Sequence, residues 1–274
     1  MTIDHLRYQV KTTTNNDELK EIKKLVEKII NTRGGIEFEN LLQDINEKMK
    51  PHLPKTLIDI RKALLERKLE CSNNKEFDGR TNSCIDENKI ISFLIHHPSF
   101  KEKIRKAENR FWYDVKVYDS EFGWVPVNVK TTTIKTADNV GNMSICLQAF
   151  TDEIMDMDER YNNGSVTNKF INKLKNKEYN TDFRKDYYFL VVNKDEPSQV
   201  IVNSVLGVSN ITPNVNNLPF QIKWINNKDY SLTEDEDVQT RVVTHLQAIQ
   251  QKAVKTWQEK FLSEFRVLSL ADKE

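Results

Sequence analysis

The chain has 274 residues, and its 41 Lys and Arg side chains are balanced by 41 Asp and Glu side chains. A charged fraction of 30% with 9% aromatic residues excludes a disordered chain, and only seven glycines exclude collagen-like or low-complexity character and a glycine-rich nucleotide-binding fold. The zero net charge excludes a global basic field, so any nucleic-acid-binding surface has to be local.

The chain length permits one large domain with its own core, and we expect a single domain over residues 1–274. The amino terminus lacks the apolar segment of a signal peptide, and no stretch reaches the ~20 apolar residues that cross a bilayer. Cys71, Cys84 and Cys146 show no Cys-x-x-Cys spacing and are interpreted as free thiols. We therefore expect a cytoplasmic protein with no membrane partner.

Residues 1–107 are predicted to be mostly helical. Apolar side chains recur at helical spacing over three stretches, namely Asp17–Ile30, Ile36–Met49 and Leu57–Leu69. The polar residues 71–85 are expected to form an exposed loop. Asp86 is then expected to cap a helix that runs to about Leu94, before His96-His97-Pro98 ends it.

A strand hairpin is predicted at the start of residues 108–160. Phe111–Tyr118 and Trp124–Lys130 are rich in aromatic and β-branched residues, and turn formers separate them. If Tyr118 pairs with Trp124, antiparallel register places Asp114 opposite Asn128. Lys130 then lies beside Asn128 on the same face, because side chains two apart share a face of a strand.

Further elements are predicted after the hairpin. Thr131–Asn142 is a polar connection, and Met143–Met157 has helical spacing. Residues 161–232 begin with a basic run at 162–186, and three strands follow at Tyr187–Asn193, Gln199–Val208 and Phe220–Ile225. Residues 233–274 open with a capping box at Thr233–Glu236 and continue as a long helix with an apolar face that includes Phe261 and Phe265. We predict an α/β (α+β) fold, with a central mixed sheet flanked by helices.

The three polar side chains of the hairpin suit phosphodiester chemistry. Hard cations prefer oxygen ligands, so the Asp114 carboxylate and the Asn128 amide oxygen are candidate ligands for Mg²⁺. Lys130 would stand near the attacking water, as a point charge or as a group that helps to deprotonate it. This set predicts a metal-dependent nuclease site.

Asp114, thirteen intervening residues and Asn128-Val129-Lys130 resemble the active-site signature of the PD-(D/E)xK nucleases, the fold of most Type II restriction endonucleases. Tyr113 stands where the signature has proline, and Asn128 stands where it has an acidic residue, as in a small subset with Asn-x-Lys. The string Val-Asn-Val-Lys-Thr-Thr-Thr is similar to that of blunt-cutting members. The resemblance implies Glu39 of an early helix as a further carboxylate, with Glu37 as the alternative.

The resemblance also implies a homodimer that cuts both strands of double-stranded DNA at a short site, and a separate DNA methyltransferase that acts on the same site. Several residues are expected to contact DNA: Lys169, Lys173 and Lys175 at phosphates, Asn214, Asn216 and Asn217 at base edges, and Thr131 and Thr132 after the catalytic lysine.

Three other functions fit parts of the sequence. A structure- or mismatch-directed nuclease of the same fold would cut without a fixed sequence. A helical DNA-binding regulator would use helices within residues 54–107, but the long polar loop at 71–85 suits it poorly. A structural or interaction protein built on the same sheet would leave Lys130 dispensable.

Overall fold

The computed structural model describes residues 2–13, 16–67, 70–72, 78–158, 160, 162–214 and 219–259. Among them, contacts define two compact units, one within Met1–His52 and Thr233–Asp235, the other within Leu53–Leu232 and Glu236–Glu274. The expectation of a single domain stays a prediction. No helix in the described ranges is long and apolar enough to span a membrane.

The described residues of the first unit form three helices, α1 (Ile3–Thr12), α2 (Asn16–Arg33) and α3 (Ile36–Met49). Helix α1 was not predicted, whereas α2 and α3 confirm the first two predicted helices. Gly34 and Gly35, with φ of 65° and 129°, separate these two helices in a conformation that favours glycine. Apolar side chains from all three helices form one buried cluster: Leu6, Val10, Leu19, Val26, Leu41 and Ile45.

The second unit is built on a five-stranded mixed sheet with the order β1-β2-β3-β5-β6. Its strands are β1 (Ile104–Lys106), β2 (Val115–Asp119), β3 (Gly123–Thr132), β5 (Tyr188–Asn193) and β6 (Val200–Ser204). Strands β3 and β5 are parallel, and the other neighbours are antiparallel. The predicted mixed sheet and its central hairpin are confirmed.

A three-stranded sheet joins β4 (Ala137–Gly141), β8 (Phe220–Lys223) and β7 (Ile211–Pro213) in that order. Strand β8 was predicted as part of the central sheet, which is wrong. The segment containing β4 was predicted as a connection, because the strand is polar and is recognisable only through its distant partner β8.

In the described part of the second unit there are five α-helices: α4 (Lys55–Arg67), α5 (Gly79–His96), α6 (Met143–Phe150), α7 (Asn163–Lys175) and α8 (Val238–Trp257). Helix α4 packs against β2 and β6, and α5 packs against β1 and β3. The predicted α/β fold with flanking helices is therefore present. Helix α6 ends at Phe150 and not at Met157, since Thr151 has an extended backbone.

Two predicted helix starts are wrong. Helix α5 begins within the predicted loop, where the Asp78 side chain accepts a hydrogen bond from Thr81 N at 2.7 Å. Asp86 lies inside α5, where it is buried and accepts hydrogen bonds from Ser72.

The start of α8 also differs from the prediction, because Asp237, and not Thr233, caps the helix. Phe261 and Phe265 lie outside the described residues.

Candidate active site

The register of the β2–β3 hairpin is the predicted one. Tyr118 pairs with Trp124, and Val115 pairs with Val127. The predicted strand Phe111–Tyr118 begins late, at Val115, so Asp114 lies directly before β2. Its Oδ2 accepts a hydrogen bond of 2.8 Å from Val129 N, which ties the carboxylate to the backbone between Asn128 and Lys130.

Asn128 and Lys130 are both half-buried on β3. Val127, which precedes Asn128, and Val129, which lies between the two polar residues, are fully buried. The two polar side chains therefore share the opposite face from the valines. The Asn128 Oδ1 atom is buried and has no hydrogen-bond partner among the described residues. Burial raises the pKa of Tyr187 and a side-chain hydrogen bond with Asn128 opposes that rise, so the amide is anchored while its oxygen stays unsatisfied.

Helix α5 supplies the second carboxylate of the site. Glu87 Oε1 lies 3.9 Å from Lys130 Nζ and accepts a hydrogen bond of 3.2 Å from Thr131 N. Helix α5 is fixed over the end of the strands because Lys194, which follows β5, donates hydrogen bonds to Gly79 O and Ser83 Oγ in its first turns. Glu87 was not predicted from the sequence.

Desolvation dominates the electrostatics of both carboxylates. Burial raises the pKa of Asp114, and the charge of Lys130 and the N–H of Val129 oppose the rise. Burial likewise raises the pKa of Glu87, which Lys130 lowers and the negative charge of Asp114 raises further. Two charged groups are thus held in a poorly solvated place, with Lys130 as their common counter-ion.

Asp138 of β4 is a third carboxylate in the field of Lys130. It accepts hydrogen bonds from Thr132 Oγ1 at 2.9 Å and Trp224 Nε1 at 2.6 Å. Burial raises its pKa, and these two hydrogen bonds and then the charge of Lys130 oppose the rise. Among the described residues, Asp138 has donors on both carboxylate oxygens whereas Asp114 has one, so the Asp138 carboxylate is satisfied without a further ligand.

A cleft of about 210 Å³ opens beside the two principal carboxylates, and its lining includes Glu87 and Asp114. No group of three or more His, Cys, Asp or Glu able to hold a metal occurs within the described ranges. The carboxylates that a cation at this cleft could contact are therefore Asp114 and Glu87. Asn128 does not line the cleft, but its buried amide oxygen on β3 is unsatisfied and is of a type that hard cations accept as a ligand.

Glu39, the carboxylate predicted for the site, lies on α3 in the first unit. There it lines a separate cleft that includes Lys23, Glu47 and Lys50 of the same unit. Glu87 is the carboxylate that lies beside Lys130 in the second unit, and the assignment of Glu39, with Glu37 as its alternative, stays a prediction. One local signal could have identified Glu87: it falls on the face of α5 that carries Ile90, Ile91 and Leu94, and a carboxylate on an apolar face needs a partner.

The predicted phosphate ligands are mostly engaged by carboxylates. Lys169 is paired with Glu153, and Lys173 is paired with Asp152 at 2.9 Å and with Glu178. Hydrogen bonds to Glu178 and Asp152 raise the pKa of Lys173. These pairs weaken the assignment of both lysines as phosphate ligands, whereas Lys175 is exposed.

The remaining predicted DNA contacts also change. Thr131 and Thr132 are 2% and 9% exposed, and their hydroxyls donate to Ser83 O and Asp138. Their burial is inconsistent with the predicted contact. Asn214 donates a hydrogen bond of 2.7 Å to Asn139 in the three-stranded sheet. Asn216 and Asn217 lie outside the described residues.

The sequence matches no model of a protein family and no curated protein. The case for a function is therefore the arrangement of Asp114, Asn128, Lys130 and Glu87.

Proposed function

We propose that this chain is a Mg²⁺-dependent deoxyribonuclease that cuts double-stranded DNA, of the kind represented by the Type II restriction endonucleases. One observation carries the proposal. The desolvated carboxylates of Asp114 and Glu87 share Lys130 as counter-ion beside an open cleft, and on β3 the buried Asn128 amide oxygen has no hydrogen-bond partner among the described residues. Unsatisfied oxygens with perturbed carboxylates are typical of functional sites, since structural sites satisfy their polar groups.

Asp114 and Asn128 would hold the metal, and water would complete its oxygen ligands. When bound, Mg²⁺ neutralises charge that develops on the phosphate and makes its water more acidic. The protein contributes fixed positions, because the Val129 N–H holds Asp114 and the Tyr187 contact holds the Asn128 amide. Preorganised ligands of this kind need no rearrangement during the reaction.

Lys130 and Glu87 would act on the attacking water. The Lys130 ammonium donates hydrogen bonds to the water and stands next to the phosphate as a positive charge. Glu87, 3.9 Å away, orients the ammonium and accepts the proton that the water loses. Burial raises the pKa of Glu87, which makes it a stronger base than an ordinary carboxylate.

The proposal includes three further properties, and the resemblance to restriction endonucleases implies the first two. The protein would act as a homodimer, with one site for each DNA strand. A methyltransferase would protect the same DNA sequence without forming a stable complex with this chain. Both proteins would act in the cytoplasm.

A digest of mixed plasmid and phage DNA tests the proposal. With Mg²⁺ we expect discrete fragments, and with a chelator or with Lys130→Ala we expect intact DNA. Lys116→Met is the matched control, because Lys116 lies on the same hairpin and pairs with the exposed Asp158. The proposal is wrong if the unaltered protein with Mg²⁺ leaves DNA of many sequences intact, or if Lys130→Ala cuts DNA as the unaltered protein does. Cutting only at mismatches or branched junctions would instead identify the structure-directed nuclease.

The DNA-binding regulator fits the structure less well. Helix α4 ends at Arg67 and α5 begins at Gly79. The segment between them is longer than the three- or four-residue turn of a helix-turn-helix unit. Arg61 of α4 also donates a hydrogen bond of 2.7 Å to Val200 O, so part of the basic face of α4 contacts the sheet.

A further inference from the structure

The turn at residues 108–111 holds an arginine in a conformation that arginine rarely adopts. Phe111 N donates a hydrogen bond of 3.3 Å to Glu108 O, and Arg110, the third residue of the turn, has a φ of 68°. A turn with positive φ at its third position favours glycine or asparagine, because the Cβ of other residues crowds the backbone. The chain has arginine at this position.

Side chains outside the turn hold it in place. Arg160 donates a hydrogen bond to Asn109 O, and its Nη2 lies 3.4 Å from Glu108 Oε2. After the turn, the Tyr113 hydroxyl donates to Met157 O. The backbone that carries Arg110 is therefore anchored before, within and after the turn.

Arg110 lines the same cleft as the two carboxylates of the candidate site. Lys106 also lines it and donates a hydrogen bond of 3.5 Å to Asn88 of α5. Within the described ranges, no carboxylate lies within ion-pair distance of the Arg110 guanidinium, whereas Glu87 faces Lys130. A cation without an ion pair thus borders a cleft that contains desolvated negative charge.

We propose that Arg110 binds a phosphate group of the substrate DNA at the cleft beside Asp114 and Glu87. This inference rests on the proposed nuclease function. A guanidinium donates two parallel hydrogen bonds to two phosphate oxygens, and its charge offsets the repulsion between the phosphate and the carboxylates. The anchored turn limits the backbone freedom that would otherwise be lost when the phosphate binds.

Arg110→Asn removes the guanidinium, and asparagine tolerates the positive φ of this position. Lys177→Asn is the matched control: Lys177 is the other described non-glycine residue with positive φ, at 57°, and it is exposed after α7, outside the cleft. Both variants remove one positive charge and relieve the same kind of strain. Arg110→Lys keeps the charge but loses the paired hydrogen bonds.

Two measurements separate the inference from the function on which it rests. Affinity for a short fluorescent DNA duplex is measured in chelator, and kcat and KM are measured on plasmid DNA with Mg²⁺. We expect Arg110→Asn to weaken duplex binding and raise KM about ten- to hundredfold, with Arg110→Lys intermediate and Lys177→Asn unchanged. The unfolding midpoints of both Asn variants should equal or exceed that of the unaltered protein.

Equal effects of Arg110→Asn and Lys177→Asn would show a general charge effect and overturn the inference, while cleavage by the unaltered protein would still support the function. If the unaltered protein cuts no DNA with Mg²⁺, the proposed function is wrong and the role of Arg110 is rejected with it.

Discussion

The β2–β3 hairpin has a carboxylate at each end, and the two differ in how their charge is satisfied. At the turn, Asp119 accepts hydrogen bonds of 2.9 Å from Thr56 N and Glu121 N. Burial would raise the pKa of Asp119, but its hydrogen bonds outweigh burial and the pKa is lowered. At the open end, Asp114 accepts a hydrogen bond from Val129 N, and burial raises its pKa.

The difference separates a structural carboxylate from a candidate functional one. Asp119 is 2% exposed, and its backbone donors come from the hairpin turn and from α4, so its charge stabilises the fold. The fold leaves Asp114 undersatisfied, and this unfavourable state becomes useful only when a cation or a proton binds. Both residues are aspartates of one hairpin, so residue type alone does not distinguish them.

Substitutions at Asp114 and Asp119 are expected to differ most strongly in DNA cleavage. Asp114→Asn should lower DNA cleavage about 1,000-fold or more, because it removes the only charged group that we assign as a direct metal ligand on the hairpin. Asp119→Asn should retain cleavage per folded molecule but lose about 1–3 kcal/mol of the free energy of unfolding. Cleavage rates and urea unfolding of both variants check this. Equal loss of cleavage would contradict the separation.

The second prediction concerns the carboxylate on the helix. Glu87→Gln should lower kcat about 100-fold with little change in KM, since Glu87 acts on the attacking water and on Lys130. Glu39→Gln, which alters the carboxylate first expected from the sequence, should leave kcat unchanged. The reverse result would restore Glu39 to the site and reject Glu87. Far-ultraviolet circular dichroism confirms that both variants are folded.

The third prediction is a pH dependence of stability with opposite signs at the two ends of the hairpin. The raised pKa of Asp114 means that its contribution to stability is present below the ordinary carboxyl pKa of about 4 and is lost as pH rises through the folded-state value. The lowered pKa of Asp119 means that its contribution is present above that ordinary value and is lost as pH falls through the folded-state value.

At neutral pH in chelator, Asp114→Asn should therefore be more stable than the unaltered protein, by on the order of 1 kcal/mol. The advantage should shrink as the pH is lowered toward 4, whereas the deficit of Asp119→Asn should shrink at still lower pH. Unfolding midpoints measured across this range check both trends. A constant advantage of Asp114→Asn at every pH would contradict a desolvated, ionised Asp114.

Local signals were sufficient for the parts of the fold that depend on local structure. The spacing of Leu41 and Ile45 with their neighbours predicted α3 with its observed bounds, and the turn formers between β2 and β3 predicted the register that pairs Tyr118 with Trp124. A hairpin register follows from its turn, so three of the four principal site residues could be placed from the sequence.

The rest depends on contacts between distant segments. Glu87 reaches Lys130 only because α5 packs on β3, a docking that no local pattern specifies. Trp112 and Tyr113 have strand-forming side chains but lie in an irregular segment, where burial and not pairing explains their aromatic character. Asp78 and Gly79 lie within the polar stretch that was predicted as a loop, although an aspartate before a helix is also a cap.

The smallest expected change is at Asn128, the uncharged member of the open end. Asn128→Asp adds a second carboxylate beside Asp114, so it should destabilise the protein in chelator and lower the Mg²⁺ concentration for half-maximal cleavage about tenfold. Asn128→Ala removes the unsatisfied amide oxygen and should raise that concentration.

Asn128→Asp also changes the contact with Tyr187. The Tyr187 hydroxyl donates a hydrogen bond of 2.7 Å to Trp112 O, and in the variant it could donate to the new carboxylate instead. If cleavage by both variants has the same Mg²⁺ dependence as cleavage by the unaltered protein, Asn128 is not a metal ligand. Its unsatisfied oxygen then only destabilises the hairpin.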